Sequence, residues 1–376
     1  MSHTPLIGRR QVLAGAAGIL GLALASPARA AHVPPFGRYG SPRHRLNDRT
    51  LYVDSQGRGD YTTVQAAVDA TPDSPAEGWT LVIAAGTYRE TVLVPQAKTG
   101  LCFLGATGDA RDVVIVYDNA AGTPKPDGGT YGTSGSATAT IQADGFTAAH
   151  VPFANDWLRA DHPEITDTQA VAAKVMGDRS YFERCRFLGH QDTLYADTRN
   201  VATFARQYYR ECYIEGDVDF VFGRATAVFE RCELTTLARD VTFRPYGFVF
   251  APSTAAANPH GFLAVHCVIN GPAADASFGL ARPWRPSSDP TAVPSLVVRE
   301  TWMGPSIDAA TPYVDMSSGY HWRDARFGEF HNKGPGAAIP VPENRPQLTP
   351  QQAAEHTPRK YLGDWHSHTI RKLTPS

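Results

Sequence analysis

The chain has 376 residues, 42% of them hydrophobic, which is enough for one large core or two ordinary ones. A formal net charge of −2 argues against a nucleic-acid polyanion as partner, and beyond the N-terminal segment no apolar run reaches membrane-spanning length. The 33 Gly and 29 Pro punctuate the chain often, favouring many short strands over long helices.

"GRRQVLAGAAGILGLALASPARA" pairs Arg9 and Arg10 with a mildly apolar Gly/Ala stretch and ends on Ala28-Arg29-Ala30, an A-x-A cleavage pattern. Residues 1–30 are expected to be an export signal, of the twin-arginine type or an ordinary secretory one. The mature protein is then expected outside a bacterial cytoplasm, in the periplasm or beyond the cell. Residues 31–48 read as a loose leader, and 49–376 as one domain without a second core.

"GDYTTVQAAVDATP" predicts a short helix, with a Thr62/Thr63 start, an apolar face at Val64, Ala67 and Val68, and Pro72 as a stop. Brief apolar runs follow, among them "LVIAAGTY", "TVLVP", "LCFLG", "VVIVYD" and "ATIQADGF", each closed by Gly, Pro or Asp. Then "FERCRF", "YRECYI", "FERCEL" and "VHCVI" repeat a pattern in which Cys185, Cys212, Cys232 and Cys267 precede an apolar residue by two positions, at spacings of 27, 20 and 35 residues. Alternation puts each Cys and that residue on one face of a strand. Two readings are open for the thiols, small side chains stacked in a core or a Cys212–Cys232 disulfide; no C-x-x-C pair or Cys/His spacing suits zinc.

Irregular periods carrying short strands and no helix predict an all-β fold, a parallel β-helix with variable loops, in which successive coils stack equivalent strands. A β-sandwich competes, but it needs hairpin-spaced turns that this sequence seldom offers. The stretches 127–140 and 286–294 read as loops, and a last short helix is predicted to start at Thr349-Pro350.

No G-x-S-x-G elbow, H-E-x-x-H or P-loop occurs, and "GTSGS" around Ser134 reads as a loop. Two carboxylate segments lie one repeat apart, "GHQDTLY" (189–195) and "EGDVDFVFG" (215–223). Strand alternation would put Asp217 and Asp219 on one face, and coil stacking would bring Asp192 near Asp219. Carboxylates among apolar residues are costly to bury unless paired or used; the plainer reading is that they cap turns between coils. In "GLARPWRP" (279–286), Arg282 offers a counter-charge that keeps a carboxylate ionised and Trp284 a flat apolar platform for a sugar ring.

Together "GHQDTLY", "GDVDFVFG" and "LARPW" resemble the signatures of pectin methylesterases. "GDYTTVQAAVDA", "GTYRE" (86–90), "TQAVA" (168–172), "RFGEFHNKGPGA" and "YLGDW" are similar to further family segments in the same order. The resemblance implies a right-handed parallel β-helix that hydrolyses methyl esters of galacturonate units in pectin. It makes Asp219 the nucleophile, Asp192 the general acid and then base, Gln191 and Gln169 the oxyanion donors, and Arg282 the group that keeps Asp219 ionised. Tyr195, Phe222 and Trp284 would line the sugar cleft. It implies no cofactor or metal, a polysaccharide as partner, and a monomer. This sequence departs from the family pattern at His190, at Asp217 where Thr is usual, at Ala281 where Gly is usual, and after the first four residues of "QAVAAKV". Asp217 weighs most: a second acid near the nucleophile would raise its pKa, unless it faces solvent. His190 reads as a loop residue beside the site. Rival readings are a glycoside hydrolase on the same fold, an esterase or thioesterase with another substrate, and a non-catalytic carbohydrate-binding protein.

Overall fold

The structure, a computed structural model, describes residues 48–365. The expected export signal and nearly all of the expected leader lie outside the described residues. No helix among the described residues is long and apolar enough to cross a membrane.

The described chain winds as a right-handed parallel β-helix. Its short strands collect into three parallel sheets of ten, seven and eight strands. Neighbours in each sheet come from successive coils: in the ten-stranded sheet Tyr181 pairs with Tyr208, Tyr208 with Val228 and Val228 with Leu263. These are the intervals that separate the four cysteines, so the sequence repeat is the coil itself.

Those four cysteines, Cys185, Cys212, Cys232 and Cys267, are not inside strands. Each follows a residue in the left-handed region (Arg184, Glu211, Arg231, His266; φ between 49° and 55°) that turns the chain from the ten-stranded sheet into the eight-stranded one. Strict alternation cannot bend a chain around three sheets, and this recurring corner is where the pattern breaks. All five cysteines are free, so the disulfide reading is set aside. The thiols instead form a ladder: Cys212 donates to the Phe182 carbonyl at 3.4 Å, Cys232 to Tyr209 at 3.4 Å and Cys267 to Phe229 at 3.3 Å. Burial pushes all four thiols up.

Like residues stack along the core. Phe182, Tyr209 and Phe229 align in register, with ring centroids 5.0 and 4.9 Å apart. Phe187, Ile214, Leu234, Ile269 and Met303 make the matching row in the eight-stranded sheet. Offset-stacked aromatic pairs add to the burial of their area. Phe229→Leu should therefore lower the unfolding free energy by about 1–2 kcal/mol, read by denaturant titration; an unchanged midpoint would show that the ladder adds nothing.

The first predicted helix forms over Val64–Ala70, with Thr63 as N-cap and Val64, Ala67 and Val68 buried. Its first N–H groups are also held by Glu90, the last residue of "GTYRE", at 2.8 Å from Val64 and 2.9 Å from Gln65. That motif residue is therefore structural. The predicted C-terminal helix is Pro350–Ala353, closed by a Thr349/Gln352 capping box. A second one, Pro358–Leu362, packs Tyr361 and Leu362 on the outer face of the ten-stranded sheet against Tyr181, Tyr208 and Val228. Within the predicted loop 127–140, Gly132–Gly135 makes a single helical turn and a strand starts at Ala139.

Candidate active site

On the seven-stranded sheet, Leu194, Val221, Phe250 and Ala281 face the core. The next residue outward on successive strands gives the row Lys174, Tyr195, Phe222 and Ala251, in lateral register. Tyr195 and Phe222 stack at 4.1 Å, and Trp284 leans on both at 6.1 and 5.6 Å. The three aromatics expected to line a cleft thus pack together, but Tyr195 and Phe222 are buried in that cluster and only Trp284 is partly exposed.

The two carboxylate segments are the turns that enter this sheet. Asp192 stands two residues before Leu194 and Asp219 two before Val221, and Leu194 and Val221 are partners on adjacent strands. Backbone bonds from Asp192 to the Val218 carbonyl and from Leu194 to the Phe220 carbonyl, both 2.9 Å, lock the turns together. Both aspartates adopt left-handed backbone, φ 66° and 49°, which Asp tolerates better than most side chains. The turns approach closely: a Cβ on Gly216 would lie 2.5 Å from the His190 carbonyl oxygen. Adjacent coils are about 4.8 Å apart, so the pair expected from spacing is brought together.

Asp219 and Asp192 are both buried, 8% and 7% exposed, yet their partners differ. Arg282 reaches across the intervening coil, its guanidinium 4.5 Å from the Phe248 ring centroid, and holds Asp219 with two forked bonds, Nε to Oδ1 at 2.9 Å and Nη2 to Oδ2 at 2.5 Å. Among the described residues the Asp192 carboxyl has no such ion pair. Burial, reinforced by the Asp219 charge, pushes Asp192 well above the usual carboxylate range. Burial also raises Asp219, but Arg282 offsets part of that rise, so Asp219 is lifted less than Asp192. The charge of the pair therefore settles on Asp219 and the proton on Asp192.

Asp217 does not share a face with Asp219. Residues 217–219 form a bend, and strand alternation does not apply to them. The Asp217 side chain turns into the protein, 1% exposed, where Arg159 grips it at 2.5 and 3.0 Å, with His190 Nδ1 at 3.5 Å and Arg239 Nε at 3.8 Å. Burial works against its charge, but these partners win and hold Asp217 well below the usual range. Its charge still pushes Asp219 and Asp192 upward. The departure from the family's Thr is thus a buried, compensated ion, and His190 belongs to its surroundings.

Gln191 Oε1 accepts from Thr168 Oγ1 at 2.7 Å and from Arg159 Nη2 at 3.2 Å. Gln169 is half-buried on the preceding coil, whose Ala170 N–H donates to the Gln191 carbonyl at 3.1 Å. Neither glutamine amide nitrogen donates to another described residue. Arg159, Thr168 and Phe248 were not foreseen. The one signal in the sequence was Asp217, an acid whose burial demanded a cation somewhere; nothing in "NDWLRADHPE" marks Arg159 as that cation.

Beyond Tyr195 and Trp284 the surface opens into a cleft of about 640 Å³, bounded by Ser134, Lys174, Asp197, Arg199, Arg224 and Ser288 among others. Lys174 and Arg224 share the one carboxylate of Asp197, at 3.5 and 2.8 Å, leaving the cleft wall cationic.

The family model described as Pectinesterase matches residues 50–364. A pectinesterase of Ralstonia solanacearum is 33% identical over 314 residues, covering 76% of this chain and 79% of that protein. Pectinesterase A of Dickeya chrysanthemi is 34% identical over 355 residues, covering 86% and 93%. Among solved structures, pectin methylesterase PemA from Erwinia chrysanthemi superposes with a TM-score of 0.74 at 30% identity, covering 86% of this chain and 98% of that one. A mutant pectin methylesterase in complex with a hexasaccharide gives 0.74 at 30% identity, covering 84% and 97%. With a family match over nearly all of the described residues, on a coil stack that pairs Asp192 with an Arg-held Asp219, the chain belongs to the pectinesterase family.

Proposed function

We propose that Asp219 and Asp192 divide the two roles of a nucleophilic ester hydrolysis acting on methyl-esterified galacturonate units of pectin. The observation that carries this is the asymmetry of the pair: one buried carboxylate forked to Arg282, its neighbour one coil away without an ion pair.

The ionised Asp219 attacks the ester carbonyl, and the amides of Gln191 and Gln169 hold the oxyanion that forms. Collapse expels the methoxy group, which takes the Asp192 proton and leaves as methanol, with Asp219 now in an anhydride linkage to the sugar. Asp192, ionised by that step, draws a proton from water; the hydroxide attacks the sugar carbonyl and releases Asp219 as carboxylate. The product carboxylic acid loses its proton to solvent. Activity requires Asp219 ionised and Asp192 protonated, so the pH profile is a bell. It falls on the acid side as Asp219 takes up a proton and on the basic side as Asp192 loses one.

Trp284, partly exposed and backed by the buried rings of Tyr195 and Phe222, gives a sugar ring a stacking surface, and the cationic cleft beside it suits the carboxylates of a polygalacturonate chain. A polymer of that size meets an enzyme outside the cytoplasm, in keeping with the export signal expected at residues 1–30; we place the enzyme in the periplasm or beyond the cell. Gln191→Ala should lower kcat for methanol release by about 10²-fold with KM little changed, the signature of a donor used in the transition state. Equal kcat in variant and wild type would remove Gln191 from the oxyanion site. Reducing ends appearing without methanol would instead identify chain cleavage.

A further inference from the structure

We propose that Arg159, anchored on Asp217, is a positioning residue that fixes the Gln191 amide with its N–H groups presented to the substrate. The inference rests on the assignment of Gln191 as an oxyanion donor made above.

Arg159 lies on the short 3-10 turn Arg159–Asp161, which is itself held in place. Just before it, Trp157 is buried, donates its backbone N–H to Asn155 Oδ1 at 3.1 Å and stacks on His162 at 5.5 Å. Asn155 in turn donates to the carbonyls of Asn119, Ser136 and Val171 at 2.8, 3.2 and 3.2 Å, tying the turn to the coil stack.

From this base one guanidinium organises three partners. It grips both oxygens of Asp217, donates through Nε to Thr168 Oγ1 at 3.3 Å, and donates through Nη2 to Gln191 Oε1 at 3.2 Å. Because Thr168 accepts from Arg159, its own hydroxyl hydrogen is directed to Gln191 Oε1, at 2.7 Å. Guanidinium has donors only, so a flipped amide would set N–H against N–H; the carbonyl orientation of Gln191 is thereby fixed. A carbonyl drawn on by a cation also leaves its amide N–H groups more positive and stronger as donors. Gln191 alone would be a half-buried side chain free to rotate its amide; with Arg159 and Thr168 it is a preorganised one.

Arg159 has a second effect, because Asp217 is two residues from the nucleophile. The groups facing Asp217 are Arg159, His190 and Arg239; those facing Asp219 are Arg282 and Asp192. Removing Arg159 exposes the Asp217 charge to Asp219, raises the Asp219 pKa and moves the acid limb of activity to higher pH. Removing Asp217 takes away a charge that opposes ionisation of Asp219, and the limb moves to lower pH. Both variants loosen Gln191, so both lose kcat while their acid limbs move apart.

The test measures methanol release from methylated pectin across pH for the full-length wild type, Arg159→Met, Asp217→Asn, Gln191→Ala and the Arg159→Met/Gln191→Ala pair, with thermal melts of each. Arg159→Met is expected to lower kcat about 10- to 100-fold with KM within about threefold. In the Gln191→Ala background the same change should cost less than about threefold, because the amide it positions is gone. A kcat of Arg159→Met within twofold of wild type would overturn the proposal, as would the same loss in both backgrounds or acid limbs that shift together. If Arg159→Met does not fold, Thr168→Val removes the other donor to Gln191 Oε1. It should lower kcat about 3- to 10-fold in the wild type and leave Gln191→Ala unchanged; any other pattern overturns the proposal. A wild type that releases no methanol sinks the proposed function, and this inference with it, before any variant is compared.

Discussion

Asp219→Ala is expected to cut methanol release from methylated pectin by about 10⁴-fold or more, the scale seen when a covalent nucleophile is removed from a preassembled site. The expectation follows from what Arg282 does with its two forked bonds: it selects Asp219 as the carboxylate that stays charged. Asp192 does not inherit the role: it stands on the neighbouring turn without the Arg282 fork that orients Asp219, and its burial still favours the protonated form. Asp192→Ala should also abolish turnover, by leaving methoxide without a proton donor. A thermal melt close to that of wild type would show that each loss is chemical, since both side chains lie in the turns that enter the sheet, and the apolar core packs without them. Full activity in Asp219→Ala would end the nucleophile assignment.

The second large effect is expected from Arg282→Met, which keeps an unbranched apolar side chain and removes the charge, with its contact on the Phe248 ring. An opposite charge in such contact holds a carboxylate down by about 1–3 pH units; without it the acid limb of kcat/KM should move up by about that much. At neutral pH both aspartates then compete for one proton, and the division of roles is lost. An Asp whose native pKa stands above its unfolded value of about 3.9 binds its proton more tightly when folded. The variant should therefore lose stability as pH rises from about 4 toward the raised native value. Activity and stability would then move in opposite directions with pH over that window, which a kinetic profile and denaturant midpoints at several pH values would read. An acid limb at the wild-type position would contradict the counter-charge role.

Much of this was legible in the sequence because the fold is periodic. The cysteine intervals equal the coil pairings of Tyr181, Tyr208, Val228 and Leu263, so the repeat predicted which segments stack and hence that Asp192 would meet Asp219. The family motifs supplied Arg282, which lies across an intervening coil where no spacing argument reaches. What alternation mispredicted were the corners. Cys185 and its equivalents sit after left-handed residues, and Asp217 and Asp219 part company at a bend. Local pattern carries no information on where a strand stops alternating to turn. Arg159 was illegible for a different reason: it acts from a loop on residues 32 and 58 positions away, and only the folded coil stack makes them neighbours.

The central claim is that the buried pair holds one proton at neutral pH and that Asp192 holds it. Infrared or carboxyl ¹³C spectra of the wild type, Asp192→Asn and Asp219→Asn, followed across pH, measure this directly. The account predicts a protonated buried carboxyl at neutral pH that disappears in Asp192→Asn and persists in Asp219→Asn. A signal that instead disappears only in Asp219→Asn, or two ionised carboxylates at neutral pH, would contradict it.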